Sequence, residues 1–440
     1  MKKPNRNNLL ILLLLLCFSA GAQNRYTLHD LIDRVLQENY QVQMVKLDEQ
    51  VASNNNTAGN AGMLPSVSAS GSQTVSYYDT RQKLFSGDIR EANSAKGTAL
   101  NGQIALDWTV FDGLKMFAMK DQLGLLEQIG QVNTRYYIEQ TVADVAMLYE
   151  QLIAYRQLLN NEKKALEVSA FRLRIEERKL KVGAGDALQY NQALVDFNDD
   201  SLAVLSRMRN IKSLEIQTNR IINADPEASV ITADTTMTAI LMPVLDSLIV
   251  QAEAANSEIE QSVLEEMVAE TNVRVQKAAY YPTVDLMGQY NYSYSTSQIG
   301  YATYNKNYGP LIGVSVRFNL FDGNNVRRTV KNAELSRDHA SLSKQDVNAF
   351  IKSSITDQYY QWQSLQQQLK LAIENRASAL KSMEIAELQF QKGLIDGYNF
   401  RLTQVSVLRA ANAVIQMELA IRLLEISLNR QAGTLMERYY

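Results

Sequence analysis

Hydrophobic and polar positions along this chain follow two periods, and the switch from one to the other occurs twice. Between Asn101 and Val110 the period is two. Ile104, Leu106, Trp108 and Val110 share one side of an extended chain, and Asn101, Gln103, Ala105, Asp107 and Thr109 share the other. After Phe111-Asp112-Gly113 the apolar spacing becomes three, four and seven and stays so to Val182. The run Val316-Arg317-Phe318-Asn319-Leu320-Phe321-Asp322-Gly323 makes the same switch 210 residues later. Each Phe-Asp-Gly is followed at 70 residues by a second glycine landmark, Gly183 before Ala184-Gly185-Asp186 and Gly393 before Leu394-Ile395-Asp396. Two unrelated landmarks repeating in register define an internal duplication.

The prolines mark the joints, because none of Pro65, Pro226, Pro243, Pro282 and Pro310 falls inside the long helical patterns. The first repeat, 23–223, predicts a helix over 27–62, strands over about 65–78 and 100–111, a long helix over 114–182, a tip turn at 183–185 and a helix over 186–223. A linker, 224–245, leads to the second repeat, 246–440. There the pattern predicts a helix over 246–280, strands over about 282–294 and 309–321, a long helix over 324–392, a turn at 393–395 and a helix over 396–432. The fold class is mainly α with a small β part. At ~1.5 Å per residue each long helix spans ~100 Å, about the length of the two shorter helices of its repeat end to end. Stripes such as Leu408, Ile415, Leu419, Leu423 and Ile426 suit lateral packing of the coiled-coil type.

The strands keep the alternation throughout. Val284, Leu286, Gly288, Tyr290, Tyr292 and Tyr294 oppose Thr283, Asp285, Met287, Gln289, Asn291 and Ser293. Ile312, Val314, Val316, Phe318 and Leu320 oppose Gly313, Ser315, Arg317 and Asn319, and Ser66, Ser68, Ser70 and Ser72 alternate with Val67, Ala69 and Gly71. Apolar faces about ten residues long with aromatic ends match lipid-facing barrel strands, and no segment remains to cover them as a helical layer. Leu106, Trp108, Leu286, Tyr290, Val314 and Val316 are therefore expected to face lipid. Four strands cannot close on themselves, and open edges are not tolerated in lipid, so the barrel is expected to be shared between subunits. The first hairpin is seven residues longer than the second, and its excess, Asp79–Gly97, reads as a loop outside the cell.

Composition narrows the setting. Lys2, Lys3 and Arg6, an apolar run from Leu9 to Phe18 and Ala20-Gly21-Ala22 form a secretory signal over 1–22, which contains the only cysteine, Cys17. Beyond it 41 basic residues face 47 acidic ones, a formal charge of −6 that argues against nucleic acid as partner. No later segment offers 18 consecutive apolar residues. His29 and His339 have no ligand-spaced partners, and no phosphate loop or nucleophile elbow occurs. An enzyme, a cofactor and a metal site are not expected. The glutamates between Glu253 and Glu270, the Arg172–Lys181 charge run and the Gln361–Lys370 run read as solvated helix faces.

The duplicated helix–strand–strand–long helix–turn–helix unit resembles the outer membrane efflux protein family, the TolC-like channels. Leu64-Pro65-Ser66-Val67 and Tyr281-Pro282-Thr283-Val284, the two Phe-Asp-Gly exits and the turns at Gly183 and Gly393 carry the resemblance. It implies a homotrimer with one twelve-stranded outer-membrane barrel above a helical tunnel through the periplasm of a Gram-negative bacterium. The tips would meet a periplasmic adaptor protein, and an inner-membrane pump of the RND or ABC type would supply the energy of a passive duct. Two other readings are open on the residues themselves. One is a periplasmic coiled-coil adaptor or scaffold without transport activity, and the other is an adhesin stalk.

At the tips, Asp186 and Asp396 are expected to cap the helices that restart there. The resemblance implies acidic rings six and nine positions past the second tip glycine, but Asn399 and Leu402 stand there, and Gln189 stands at the sixth position of the first turn. The tip residues Gly183, Asp186, Gln189, Gly393, Asp396, Asn399 and Leu402 are then expected to form the adaptor contact and constriction, with a neutral amide ring and a closure held by hydrogen bonds and by packing of Leu188, Leu394 and Tyr398.

Overall fold

A computed structural model describes residues 25–237, 242–299 and 302–439; the signal segment expected at 1–22 lies outside them. In chain order the elements are β1 (Arg25–Tyr26), α1 (Leu28–Glu38), α2 (Tyr40–Asn55), β2 (Ser66–Lys83), β3 (Ile89–Phe111), α3 (Lys115–Lys181), α4 (Ala187–Ile221), β4 (Ile231–Thr232), α5 (Leu245–Ala255), α6 (Ser257–Lys277), β5 (Thr283–Ser297), β6 (Tyr304–Arg317), α7 (Asn325–Gln391), α8 (Gly397–Gln431) and α9 (Leu435–Tyr439). Both long helices are 67 residues and unbroken.

The two helices expected over 27–62 and 246–280 are each broken by an asparagine. Asn39 and Asn256 adopt extended backbone with ψ of 124°. Their side-chain oxygens accept from the restarting helix, Asn39 from Val42 N–H at 3.1 Å and Asn256 from Ile259 N–H at 3.0 Å. Their amides donate 2.8 Å bonds to the carbonyls of Ile221 and Gln431, the last residues of α4 and α8. One side chain thus serves a helix start and a helix end, which periodicity cannot reveal because the apolar stripe runs on through the break. The first helix also ends at Asn55 rather than 62, and the second gives way to a 3₁₀ turn at Ala278–Tyr280.

Asn39 and Asn256 lie 217 residues apart. Past the hairpins the offset is 210: Asn223 and Gly433, both left-handed at φ 51° and 72°, terminate α4 and α8. The difference is the seven extra residues of the first hairpin.

Two compact units result, and neither is a repeat. One draws on Met1–Leu47, Asn133–Glu260 and Val347–Tyr440, the other on Asp48–Val132 and Gln261–Asp346. The duplication is one of chain, not of domains, because each long helix contributes to both units.

In the first unit, β1 pairs in parallel with β4. Leu31, Ile32 and Val35 of α1 are fully buried against Val142, Val145, Ala146 and Tyr149 of α3 and Ile426 of α8. Their duplicates on α5, Leu248 and Ala252, pack with Ile351, Ile355 and Leu428. A buried ion network crosses this core: Arg422 donates to Glu150 at 2.9 Å and to Glu425 at 2.6 Å, and Trp362 Nε1 donates to Glu425 at 3.2 Å.

In the second unit β2-β3-β5-β6 form one antiparallel sheet. Its strands differ from the expected bounds. The polar stretch expected to be a loop is ladder, since β3 begins at Ile89 instead of 100 and β2 runs to Lys83, leaving only Leu84–Asp88 as the turn. Alternation is weak there, so polarity alone suggested a loop, but backbone pairing does not need apolar side chains. At the other end β6 stops at Arg317, so Phe318 and Leu320 lie outside the strand.

Each Phe-Asp-Gly is a strand-to-helix cap. Gly113 and Gly323 are left-handed at φ 73° and 72°, and so are the residues that follow, Leu114 and Asn324. This turn lets Asp112 accept from Met116 N–H at 3.2 Å, and Asp322 from Asn325 and Val326 N–H at 3.0 and 2.8 Å. These amides would otherwise lack partners at the helix start.

Candidate functional site: the repeated tip and the sheet

Both tip turns end their long helix in the same way. Gly183 and Gly393 take φ of 75° and 72°. The following amides, Ala184 and Leu394, reach back to the carbonyls of Lys179 and Gln389 at 2.9 and 2.8 Å, a Schellman closure that glycine permits. Asp186 and Asp396 then cap α4 and α8, accepting from Leu188 N–H at 3.1 Å and Asn399 N–H at 2.8 Å. Gly185 is also obligatory, because a Cβ there would lie 2.7 Å from Lys179 Cβ and 2.9 Å from the Leu180 nitrogen.

Within the single chain the tip packs through other apolar residues. Leu394 and Tyr398 are 71% and 64% exposed in the chain, and Leu188 and Leu402 are exposed as well. The buried stripe of α8 in the chain runs through Gly397, Phe400 and Gln404. Phe400 stacks on Phe390 with ring centroids 4.5 Å apart, beside Val168, Ile175 and Ile395. Their positions, three before and seven after Gly393, were a readable signal: two aromatics placed to meet across a turn. Asn399 is exposed and Gln189 half-buried.

Arg172 is likewise no part of a solvated run. It is 3% exposed and pairs with Asp196 of α4, while Glu176 is buried beside Lys179. Arg401 grips Asp200 with two bonds of 2.7 and 2.9 Å and lies 3.5 Å from Asp196. Burial alone would lower the Arg401 pKa, but the Asp200 bond and the charges of Asp200, Asp196 and Asp199 outweigh it and raise it. Gln404 adds a 2.7 Å bond to the Ala165 carbonyl. These ties fasten α4, α8 and α3 to one another just behind the tips.

In the other unit, the sheet register brings the candidate lipid-facing residues onto one face. Trp108, Leu286 and Val314 form one row across three strands, and Val67, Leu106, Gly288 and Ile312 the next. Val316 and Tyr290 belong to the same face. Within the chain it is uncovered, with Ile312 at 87% and Val314 at 65% exposure. The opposite face is a ladder of hydroxyls and amides, with Ser293 bonded to Asn101 at 2.8 Å and Thr109 to Asp285 at 2.7 Å. Among the described residues no helix is long and apolar enough to cross a membrane, and no group of His, Cys, Asp and Glu is arranged to hold a metal ion.

A duplicated helical frame joined to a sheet with one apolar and one polar face is the architecture of outer-membrane channels. The fold matches the CmeC outer membrane channel of Campylobacter jejuni at a TM-score of 0.80, with 16% identity over 93% of this chain and 86% of that one. It matches the outer membrane protein VceC of Vibrio cholerae at 0.76, with 17% identity over 92% and 96%. The open state of the MtrE outer membrane channel of Neisseria gonorrhoeae matches at 0.74, with 13% identity over 93% and 89%. No curated protein matches by sequence. The family described as outer membrane efflux protein matches residues 248–434, from α5 to just past the end of α8. The resemblance read from the repeated motifs is therefore shown in sequence for the second repeat and in fold for nearly the whole chain.

Proposed function

We propose that the chain is the passive exit duct of a tripartite efflux or type I secretion system, seated in the outer membrane of a Gram-negative bacterium with its helices in the periplasm. The observation that carries this reading is the uncovered apolar face of a four-stranded sheet whose outer strands, β2 and β6, each have one unpaired edge. Lipid supplies no partners for edge N–H and C=O groups, so such a sheet is stable in a bilayer only when closed. Three copies give twelve strands, with β6 of one chain beside β2 of the next and the hydroxyl and amide ladder lining the lumen. The tips at Gly183, Asp186, Gln189, Gly393, Asp396, Asn399 and Leu402 form the periplasmic end. There, exposed Leu188, Leu394, Tyr398 and Leu402 meet a periplasmic adaptor, and an RND or ABC pump drives cargo through.

Mass measurement of detergent-extracted outer-membrane protein, followed by planar-bilayer recording, tests the proposal. Trimers that conduct are expected. A folded, non-conducting monomer, or recovery in the soluble periplasm, would leave the adaptor or scaffold reading in its place.

A further inference from the structure

One charged side chain stands on the apolar face of the β5–β6 pair. That face carries Val284, Leu286, Gly288, Tyr290, Tyr292, Tyr294 and Thr296 on β5. It carries Val316, Val314, Ile312, Pro310, Tyr308, Lys306 and Tyr304 on β6. Lys306 is held rather than free. Its ammonium lies 5.6 Å from the ring centroid of Tyr292 and 5.5 Å from that of Tyr308, and just beyond it Tyr294 stacks on Tyr304 at 6.0 Å. Among the described residues no carboxylate lies within ion-pair reach of it.

Its height on the sheet matters. Ten residues separate Val316 from Lys306, about 34 Å of strand, or about 26 Å along the membrane normal at a tilt of about 40°. An apolar band is about 25 Å tall, so with Val316 at one boundary Lys306 arrives at the other, on the side of the hairpin turns. A lysine at that height needs only to snorkel. Here two aromatic faces fix the cation instead, and the two rings carry phenolic O–H donors. Fixed positive charge flanked by O–H donors suits an anionic oxygen cluster, and the group of that chemistry at the edge of a bilayer is a lipid phosphate.

Resting on the reading of this sheet as membrane-embedded, we infer that Lys306, with Tyr292 and Tyr308, is a binding site for the phosphate of an anionic lipid in the leaflet on the hairpin side. Lys96 of β3, on the same face and nearer the first hairpin turn, extends the basic rim.

The test uses the full-length protein in phosphatidylcholine nanodiscs doped with phosphatidic acid, with retained lipid counted by native mass spectrometry. The wild type should retain phosphatidic acid in preference to phosphatidylcholine. Lys306→Gln should weaken that retention about tenfold, the loss of one charge-assisted bond. Lys306→Arg should restore it, and Lys381→Gln, on α7 in the other unit, should leave it unchanged. Equal retention by wild type and Lys306→Gln, or no preference in the wild type, overturns the site while leaving the channel reading intact. Failure of every variant to enter the discs overturns the reading of the sheet and the site with it.

Discussion

Asn399 presents a neutral amide where the resemblance implies a carboxylate. Its backbone N–H is already committed to Asp396, and its side chain is exposed. A neutral ring in a narrow, low-dielectric passage lacks the field that concentrates cations. Asn399→Asp should therefore raise cation selectivity and introduce block by multivalent cations in planar-bilayer recordings. Strong cation selectivity and block in the unmodified channel would contradict this account. Glu150 poses a different residue-scale problem. Burial pushes its carboxyl pKa up, against the pull of the Arg422 charge and hydrogen bonds. A carboxyl that holds its proton more tightly folded than unfolded contributes stability at acid pH and loses it as pH rises through the raised value. Glu150→Gln should thus flatten the pH dependence of the urea midpoint between the ordinary carboxylate range and neutrality. An unchanged slope would show that Arg422 keeps this group ionised throughout.

Each strand of the sheet carries two faces of opposite character, and between the bulges at Tyr78/Thr80 and Thr109/Phe111 the pairing register holds them in line across all four strands. If that register places Ile312 against mid-bilayer lipid, Ile312→Arg should cost about 2–4 kcal/mol, read as lost trimer in the outer-membrane fraction. Ser315→Arg, three residues along and on the polar face, should assemble normally. Equal loss for both would mean that the two faces are not distinguished by their surroundings. Among helices, the breaks at Asn39 and Asn256 show how one amide can set where a helix restarts and where another ends. The long helices need no such device, because their small and apolar stripes continue without interruption.

For the whole molecule, both hairpin turns belong to one end of the sheet and both Phe-Asp-Gly caps to the other. On the proposed placement of the helices in the periplasm, the Leu84–Asp88 turn projects outward. Gly87, left-handed at φ 92° with open space around it, is the place for an insertion. An epitope inserted there should be labelled on intact cells; a well-expressed trimer that labels only after permeabilisation would invert the topology. Insertion at Ala92 or Thr80, which pair with each other, should impair assembly because it breaks ladder that polarity had suggested was loop.

The residue pattern by itself determined the duplication, the two long helices, the tip turns with their aspartate caps and the alternation of the strands. All of these rest on contacts between residues close in sequence: backbone periodicity, glycine at left-handed turns, a carboxylate beside free amides. The same locality explains what stayed hidden. The breaks at Asn39 and Asn256 depend on carbonyls of Ile221 and Gln431, 182 and 175 residues away. The burial of Arg172 and Arg401 depends on Asp196 and Asp200 of another helix, so a charge run that looked solvated became the tie behind the tip. Phe390 stacks on Phe400 while Leu394 and Tyr398 stay exposed in the chain, and backbone pairing carried β2 and β3 beyond the reach of any hydrophobic pattern. Only the tertiary structure could decide these points, because a polar group's surroundings are set by whichever distant segment supplies its partner.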